Sequence, residues 1–167
     1  MKLSIKLSLA IVVLLAVGSG GCSSEQSKNE AKKEFIREGD RLFIPYMTGN
    51  LEQARQSLNQ TINHYEESKF LDAKTQAGFL ELDYDRLYVL EKRSGNQDAA
   101  DIALIKARYW RFRSLELNGV TGSEEATIEA LDTPEKRMKR VVNFDAGDGK
   151  FSPKYLQDLE GPKSKTP

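Results

Sequence analysis

Asn96–Leu117, NQDAADIALIKARYWRFRSLEL, is the stretch that decides the fold class. Wound at 3.6 residues per turn, it carries two apolar stripes. Ala100, Ala103, Ala107 and Trp110 form one, and Ile102, Ile105, Tyr109 and Phe112 form the other. A helix apolar on two sides is expected to lie between neighbours, so this one is expected at the centre of the fold. Its alanines allow a second helix backbone to approach closely. Trp110, one step beyond Ala107, is expected in the core, whereas Arg111 and Arg113 are candidate contacts for a partner.

The neighbouring segments follow the same period. Upstream, Ala73, Ala77, Leu80, Tyr84 and Leu87 advance in steps of four and three, and Phe79, Tyr88 and Leu90 widen that surface. The spacing predicts a helix over about 72–93, ended by Ser94, Gly95 and Asn96, with Asn96 capping the next. Further upstream, Leu51, Ala54, Leu58, Ile62 and Tyr65 share one helical face. Asn50 stands at the N-cap and Gln53 at the position of a capping-box partner. The first helix is expected from Ala31, through Phe35, Ile36, Leu42, Phe43 and Tyr46, with Gly39 as a weak point. Pro45 should stop or kink it. Beyond Gly119 the chain predicts a helix over 124–131, another opened by Thr133-Pro134, and a last short one from Ser152-Pro153 to Leu159. The expectation is an all-α domain of antiparallel helical hairpins over residues 31–160, followed by a disordered tail over 161–167.

Gly49-Asn50-Leu51-Glu52-Gln53-Ala54 is echoed by Gly95-Asn96-Gln97-Asp98-Ala99-Ala100, with Leu58 and Leu104 at equal distance beyond. Gly49, Ala54 and Leu58, and again Gly95, Ala100 and Leu104, resemble half of the tetratricopeptide helix-turn-helix motif. The offset of 46 residues departs from that family's period of about 34, and no proline closes either unit. The resemblance spans residues 35–117 and implies a protein-binding groove between hairpins. Any antiparallel bundle with Gly-Asn turns would show the same pattern.

The N-terminus has a different character. In MKLSIKLSLAIVVLLAVGSGGCSS, Lys2 and Lys6 precede an apolar run from Leu7 to Val17, and the small residues Gly18 to Gly21 lead to Cys22. This is the order of a secretory signal peptide, and the run falls well short of the roughly twenty residues of a spanning helix. The stretch resembles the signal of bacterial lipoproteins, although Ser19 stands where that family usually places an aliphatic residue. The resemblance implies that residues 1–21 are removed and that Cys22, the only cysteine, is acylated with lipid chains such as palmitate. It also implies a lipid-anchored protein of the cell envelope. Ser23, which is not Asp, implies the periplasmic face of the outer membrane in an organism with two membranes. Residues 22–30, which include the wholly polar SSEQSKNE, read as a flexible tether.

Removal of residues 1–21 leaves 146, the size of one domain, with a net charge of about −2. Such a balance gives no field for nucleic acid. His64 is the only histidine and falls off the apolar stripe of its helix, so it is expected to be exposed and without catalytic or metal-binding work. FDAGDGKF over 144–151 puts Phe144 and Ala146 at ligand positions of a calcium loop, so that site fails. Carboxylates are plentiful but fall on faces expected to be exposed, so neither a metal nor another cofactor is expected and no catalytic residue stands out. Lys136, Arg137, Lys139 and Arg140 form a compact basic run, expected on a solvated face and available to an acidic partner or anionic lipid headgroups. The functional expectation is an envelope adaptor or assembly factor that binds another protein. A compact structural or inhibitory lipoprotein is the alternative, and a carboxylate-based cell-wall hydrolase a more distant one.

Overall fold

The structure, a computed structural model, describes residues 22–120, 122–146 and 153–160; the signal segment 1–21 and the tail 161–167 fall outside the described residues. The described chain is all-α: α1 Cys22–Thr48, α2 Leu51–Glu66, α3 Ala73–Arg93, α4 Gln97–Leu117, α5 Ser123–Leu131, α6 Pro134–Ala146 and α7 Lys154–Glu160. Short turns fold α1 on α2 and α3 on α4 as antiparallel hairpins, and α2 packs on α3. Among the described residues no helix is long and apolar enough to cross a membrane.

Local chemistry sets the helix ends. Asn50 Oδ1 accepts from the Gln53 N–H at 3.0 Å, and Gln53 Oε1 accepts from the Asn50 N–H at 2.9 Å, completing the capping box of α2. Asp72 caps α3 by accepting from the Thr75 N–H at 2.9 Å. Gly95 then takes φ +83°, the left-handed conformation that ends α3 and turns the chain into α4. Asn96 makes no side-chain cap on α4; its Nδ2 donates instead to Glu91 Oε2 at 3.1 Å.

Two differences concern α1. It begins at Cys22, where a tether was expected. No proline or glycine interrupts residues 22–34, and a polar stretch lacks burial without lacking helix propensity. Residues 25–34 are all exposed. At the other end Pro45 does not stop α1, which runs on to Thr48. Ser57 of α2 supplies the reason. Its hydroxyl accepts from the Tyr46 N–H at 3.1 Å and donates to the Leu42 carbonyl, bridging two backbone groups that a regular helix would join directly.

α3, not α4, is the central element: α2, α4, α6 and α7 all pack on it. One part of the core joins Tyr46, Ala54, Leu58 and Leu90 to Tyr155 and Leu156 of α7. The other joins Tyr88 and Val89 to Ala100, Ala103 and Val141. Burying a large aliphatic side chain contributes about 1.5–3 kcal/mol, so α7 adds materially although it is short. Of the two stripes of α4 only the alanine stripe is covered. Ala100, Ala103 and Ala107 are buried against α3, whereas Ile102, Ile105 and Tyr109 are exposed.

Candidate functional site

Because neighbours surround α3, its charged residues cannot all reach solvent. Asp83, Asp85, Arg86 and Glu91 are buried, against the expectation that the carboxylates lie on exposed faces. Each finds a counter-charge, as buried ions must. Arg55 of α2 donates Nε to Glu91 at 2.5 Å. Arg137 of α6 is fully buried and joins Asp85 at 3.1 Å, Glu129 at 2.7 Å and Asp132 at 3.2 Å. Burial raises the Asp85 carboxyl above its usual range although Arg137 opposes the shift.

The third cluster centres on Arg86. Its Nη1 donates to Asp83 Oδ1 at 2.8 Å, while Nε and Nη2 donate to Asp145 Oδ1 of α6 at 3.1 and 2.8 Å. Tyr46 Oη donates to Asp145 Oδ2 at 2.6 Å. Burial, with Tyr155 and Asp145 adding to it, raises the Tyr46 phenol well above its ordinary value. Asp145 therefore has a donor on each oxygen. Asp83 does not: its Oδ2 is buried with no hydrogen-bond partner among the described residues. Burial pushes the Asp83 carboxyl up to about 6, and the nearby Arg86 charge only partly offsets that shift.

This cluster floors a cleft of about 240 Å³ where α1, α2, α3 and α6 meet. Asp40 and Phe43 line it from α1, Tyr65 from α2 and Phe144 from α6; α3 contributes Phe79, Leu82, Asp83 and Arg86. Tyr65 and Phe79 stack at 4.8 Å between ring centroids, and the Arg86 guanidinium lies 4.4 Å above the centre of the Phe43 ring. Tyr65 comes close to α1 because residue 39 is glycine; a Cβ there would stand 2.7 Å from Tyr65 Oη. The cleft is apolar and aromatic on its walls and acidic at its floor and rim.

No family model, curated protein or solved structure matches this chain.

The residues singled out in the sequence do not converge on the cleft. Cys22 starts α1. Arg111 Nη1 lies 3.4 Å from Glu81 of α3, half-buried, while Arg113 is exposed and pairs with Glu116 within α4. The basic run of α6 divides. Lys136 and Lys139 are exposed, and Lys136 Nζ donates to the Leu131 carbonyl at 2.8 Å. Arg137 is no surface contact, being fully buried, and Arg140 is held by Asp132 at 2.7 Å and Asp85 at 3.3 Å. His64, expected to be exposed, is half-buried: it stacks on Phe35 at 3.9 Å and its Nε2 donates to the Phe35 carbonyl at 2.9 Å. Residues 144–146 of the FDAGDGKF stretch are the last turn of α6; residues 147–151 lie outside the described residues. Among the described residues no three His, Cys, Asp or Glu side chains are grouped as they would be around a metal ion.

The second feature is the outer face of α4. Ile102, Ile105 and Tyr109 are 62, 65 and 58 % exposed, and Phe112 continues the row half-buried. Steps of three, four and three are the seam spacing of helices that pack side by side. Charges of both signs border the row: Lys106, Arg108 and Arg113 on one hand and Asp98, Asp101 and Glu116 on the other, with Arg108 paired to Glu129 at 2.9 Å and Arg113 to Glu116.

Proposed function

We propose that this chain is a lipid-anchored protein of the bacterial cell envelope that serves as an adaptor or assembly factor, binding an amphipathic helix of another protein through the outer face of α4. The observation that carries the reading is the row Ile102, Ile105 and Tyr109, each more than half exposed on a helix whose other side is already packed. Monomeric proteins seldom leave such contiguous apolar surface uncovered without a use for it. Cys22 carries the anchor, with delivery to the periplasmic face of the outer membrane where there are two membranes. The exposed first turns of α1 space the domain from the lipid surface. Residues 22–34 span about 20 Å at about 1.5 Å per residue.

The compact structural or inhibitory reading has one observation in its favour. α7 packs Tyr155 and Leu156 against α1, α2 and α3, so the chain itself covers the surface where two tetratricopeptide-like hairpins would leave a groove. The hydrolase reading is weakened because Asp145, which shares Arg86 with Asp83, has both oxygens occupied.

The test places a photo-crosslinking amino acid at position 105, or at Gln60 on the exposed side of α2, in cells labelled with a palmitate analogue. Label on the wild-type protein but not on Cys22→Ser, with a discrete protein adduct from position 105 and none from position 60, supports the proposal. An unlabelled wild-type chain ends the anchor, and equal or absent adducts at the two positions end the adaptor.

A further inference from the structure

We propose that the exposed row of α4 pairs with a second copy of this chain, antiparallel and about a twofold axis, with Asp101 of each copy meeting Arg108 of the other. The inference rests on the reading of this face as a helix-binding surface and names its first occupant. A helix of another protein then binds by displacing one copy. The row is placed for such a contact. α3 covers Ala100, Ala103 and Ala107, and at 3.6 residues per turn Ile102, Ile105, Tyr109 and Phe112 fall on the opposite side of α4. A second helix therefore reaches the row without meeting α3.

Charge selects the occupant and its direction. One edge of the row carries Asp101 and Arg108, opposite in sign and one heptad apart. Asp101 is exposed and accepts from Gln97 Nε2 at 2.6 Å, a neutral donor. Arg108 meets Glu129 through Nε at 2.9 Å, yet its side chain stays 41 % exposed. A twofold axis crossing α4 between residues 104 and 105 sets Asp101 level with Arg108 on the same edge, twice over. It also leaves Ile102 and Ile105 of both copies facing one another at the centre, which is the self-complementary patch of a closed dimer. Asp98 and Asp101 lie before that axis, and beyond it Lys106, Arg108 and Arg113 outnumber Glu116. An antiparallel pair thus sets acid against base, whereas a parallel one would stack Asp98 on Asp98 and Arg108 on Arg108. The contact is a single pair of helices, so it is of the small, reversible kind that a competing helix can replace.

The experiment expresses full-length chains with two different epitope tags in the same cells, each with a photo-crosslinking amino acid at position 105. The expected result is an adduct of twice the chain's mass that carries both tags, its crosslink mapping by mass spectrometry to α4 of the second copy. Asp101→Arg in both copies should lower that adduct about tenfold, because two equivalent contacts turn from attractive to repulsive, and Arg108→Glu in both should do the same. Asp101→Arg in one copy with Arg108→Glu in the other should restore it, since both contacts again join opposite charges. Absence of the double-mass adduct, a crosslink outside α4, an undiminished adduct from Asp101→Arg, or a mixed pair no better than either variant alone would each overturn the pairing. If Arg108→Glu does not fold, an undiminished adduct from Ile102→Asp, at a position 62 % exposed, overturns it. The two readings of the face fail separately. An adduct of some other mass alone overturns the self-pair and leaves the adaptor standing, whereas the double-mass adduct alone supports the self-pair without the adaptor.

Discussion

Arg86 on α3 holds Asp145 on α6 through two nitrogens, Nε at 3.1 Å and Nη2 at 2.8 Å, both meeting Oδ1. The two residues are 59 apart in sequence. The contact therefore ties the C-terminal helices to the second hairpin, and the Tyr46 hydroxyl on Asp145 Oδ2 adds α1 to the same node.

Breaking the node from one side should be costly. Asp145→Ala leaves the buried Arg86 charge with Asp83 alone and the Tyr46 hydroxyl without its acceptor. Removing one partner of a buried ion pair costs about 3–5 kcal/mol, a large part of a domain's total of about 5–15. Urea unfolding should show that loss for Asp145→Ala and a smaller one for Asp145→Asn, which keeps an acceptor. A midpoint unmoved by Asp145→Ala would show that the α3–α6 tie does not hold the fold together.

Asp83 sets a pH dependence whose sign follows from its environment. Its carboxyl is raised to about 6 in the fold, while an unfolded aspartate titrates near 3.9. Below about pH 4 both states are protonated and the group imposes no charge burial. As pH rises from about 4 to 6 the unfolded chain releases its proton first, so the folded state loses stability. Above about 6 the loss is complete. Asp83→Asn mimics the neutral form throughout. Its stability relative to wild type should therefore improve by about 2–3 kcal/mol between pH 4 and pH 7, as two pKa units at about 1.4 kcal/mol each imply. Thermal melts of both proteins across that range would show it, and a constant difference between them would contradict the buried, ionised Asp83.

The helices themselves were legible because their signals are local. Asn50 and Gln53 announce a capping box, and Gly95 announces a left-handed turn, in the few residues that make them. What was not legible depends on residues far apart. Pro45 reads as a helix stop or kink, and that the helix runs on depends on Ser57, eleven residues on from Tyr46, which supplies the bridging hydroxyl. Asp83, Asp85 and Glu91 read as solvent-facing because charged side chains are rarely buried unless paired. Their burial depends on Arg86, Arg137 and Arg55, on three different helices. Periodicity shows that α4 has two apolar faces but not which one meets a neighbour; the smaller side chains are the ones that let α3 approach. Trp110, expected in the core, is half-buried with its edge against Tyr109 at 5.1 Å between centroids. The cleft left no trace in any single segment, since four helices build it.

The two faces of α4 should respond oppositely to substitution. Ile102→Asp and Ile105→Asp, at positions 62 and 65 % exposed, should change stability by no more than about 0.5 kcal/mol, as surface changes usually do. Ala103→Leu, at a position 1 % exposed against α3, should cost about 1–3 kcal/mol by overpacking. Chemical denaturation ranks the three variants directly. If the isoleucine variants unfolded and Ala103→Leu were tolerated, the packed and free sides of the helix would be reversed.

Gly39 and Tyr65 allow a sharper test, because two effects of opposite sign meet at one position. Alanine in place of a helical glycine ordinarily stabilises by about 1 kcal/mol. At Gly39 the new methyl would stand 2.7 Å from Tyr65 Oη and 3.2 Å from two carbons of the same ring. Tyr65 cannot retreat freely, since it is stacked on Phe79 at 4.8 Å. The overlap should outweigh the helical gain, so Gly39→Ala is expected to lower stability by about 1 kcal/mol or more. Tyr65→Phe deletes only the nearest atom, leaving ring carbons that a shift of a few tenths of an ångström relieves. In that background Gly39→Ala should become neutral or stabilising. The quantity to measure is the coupling energy of the double-mutant cycle by urea unfolding, expected at about 1–2 kcal/mol. A coupling near zero would mean that Tyr65 does not lie against α1, and the wall of the cleft would have to be drawn without it.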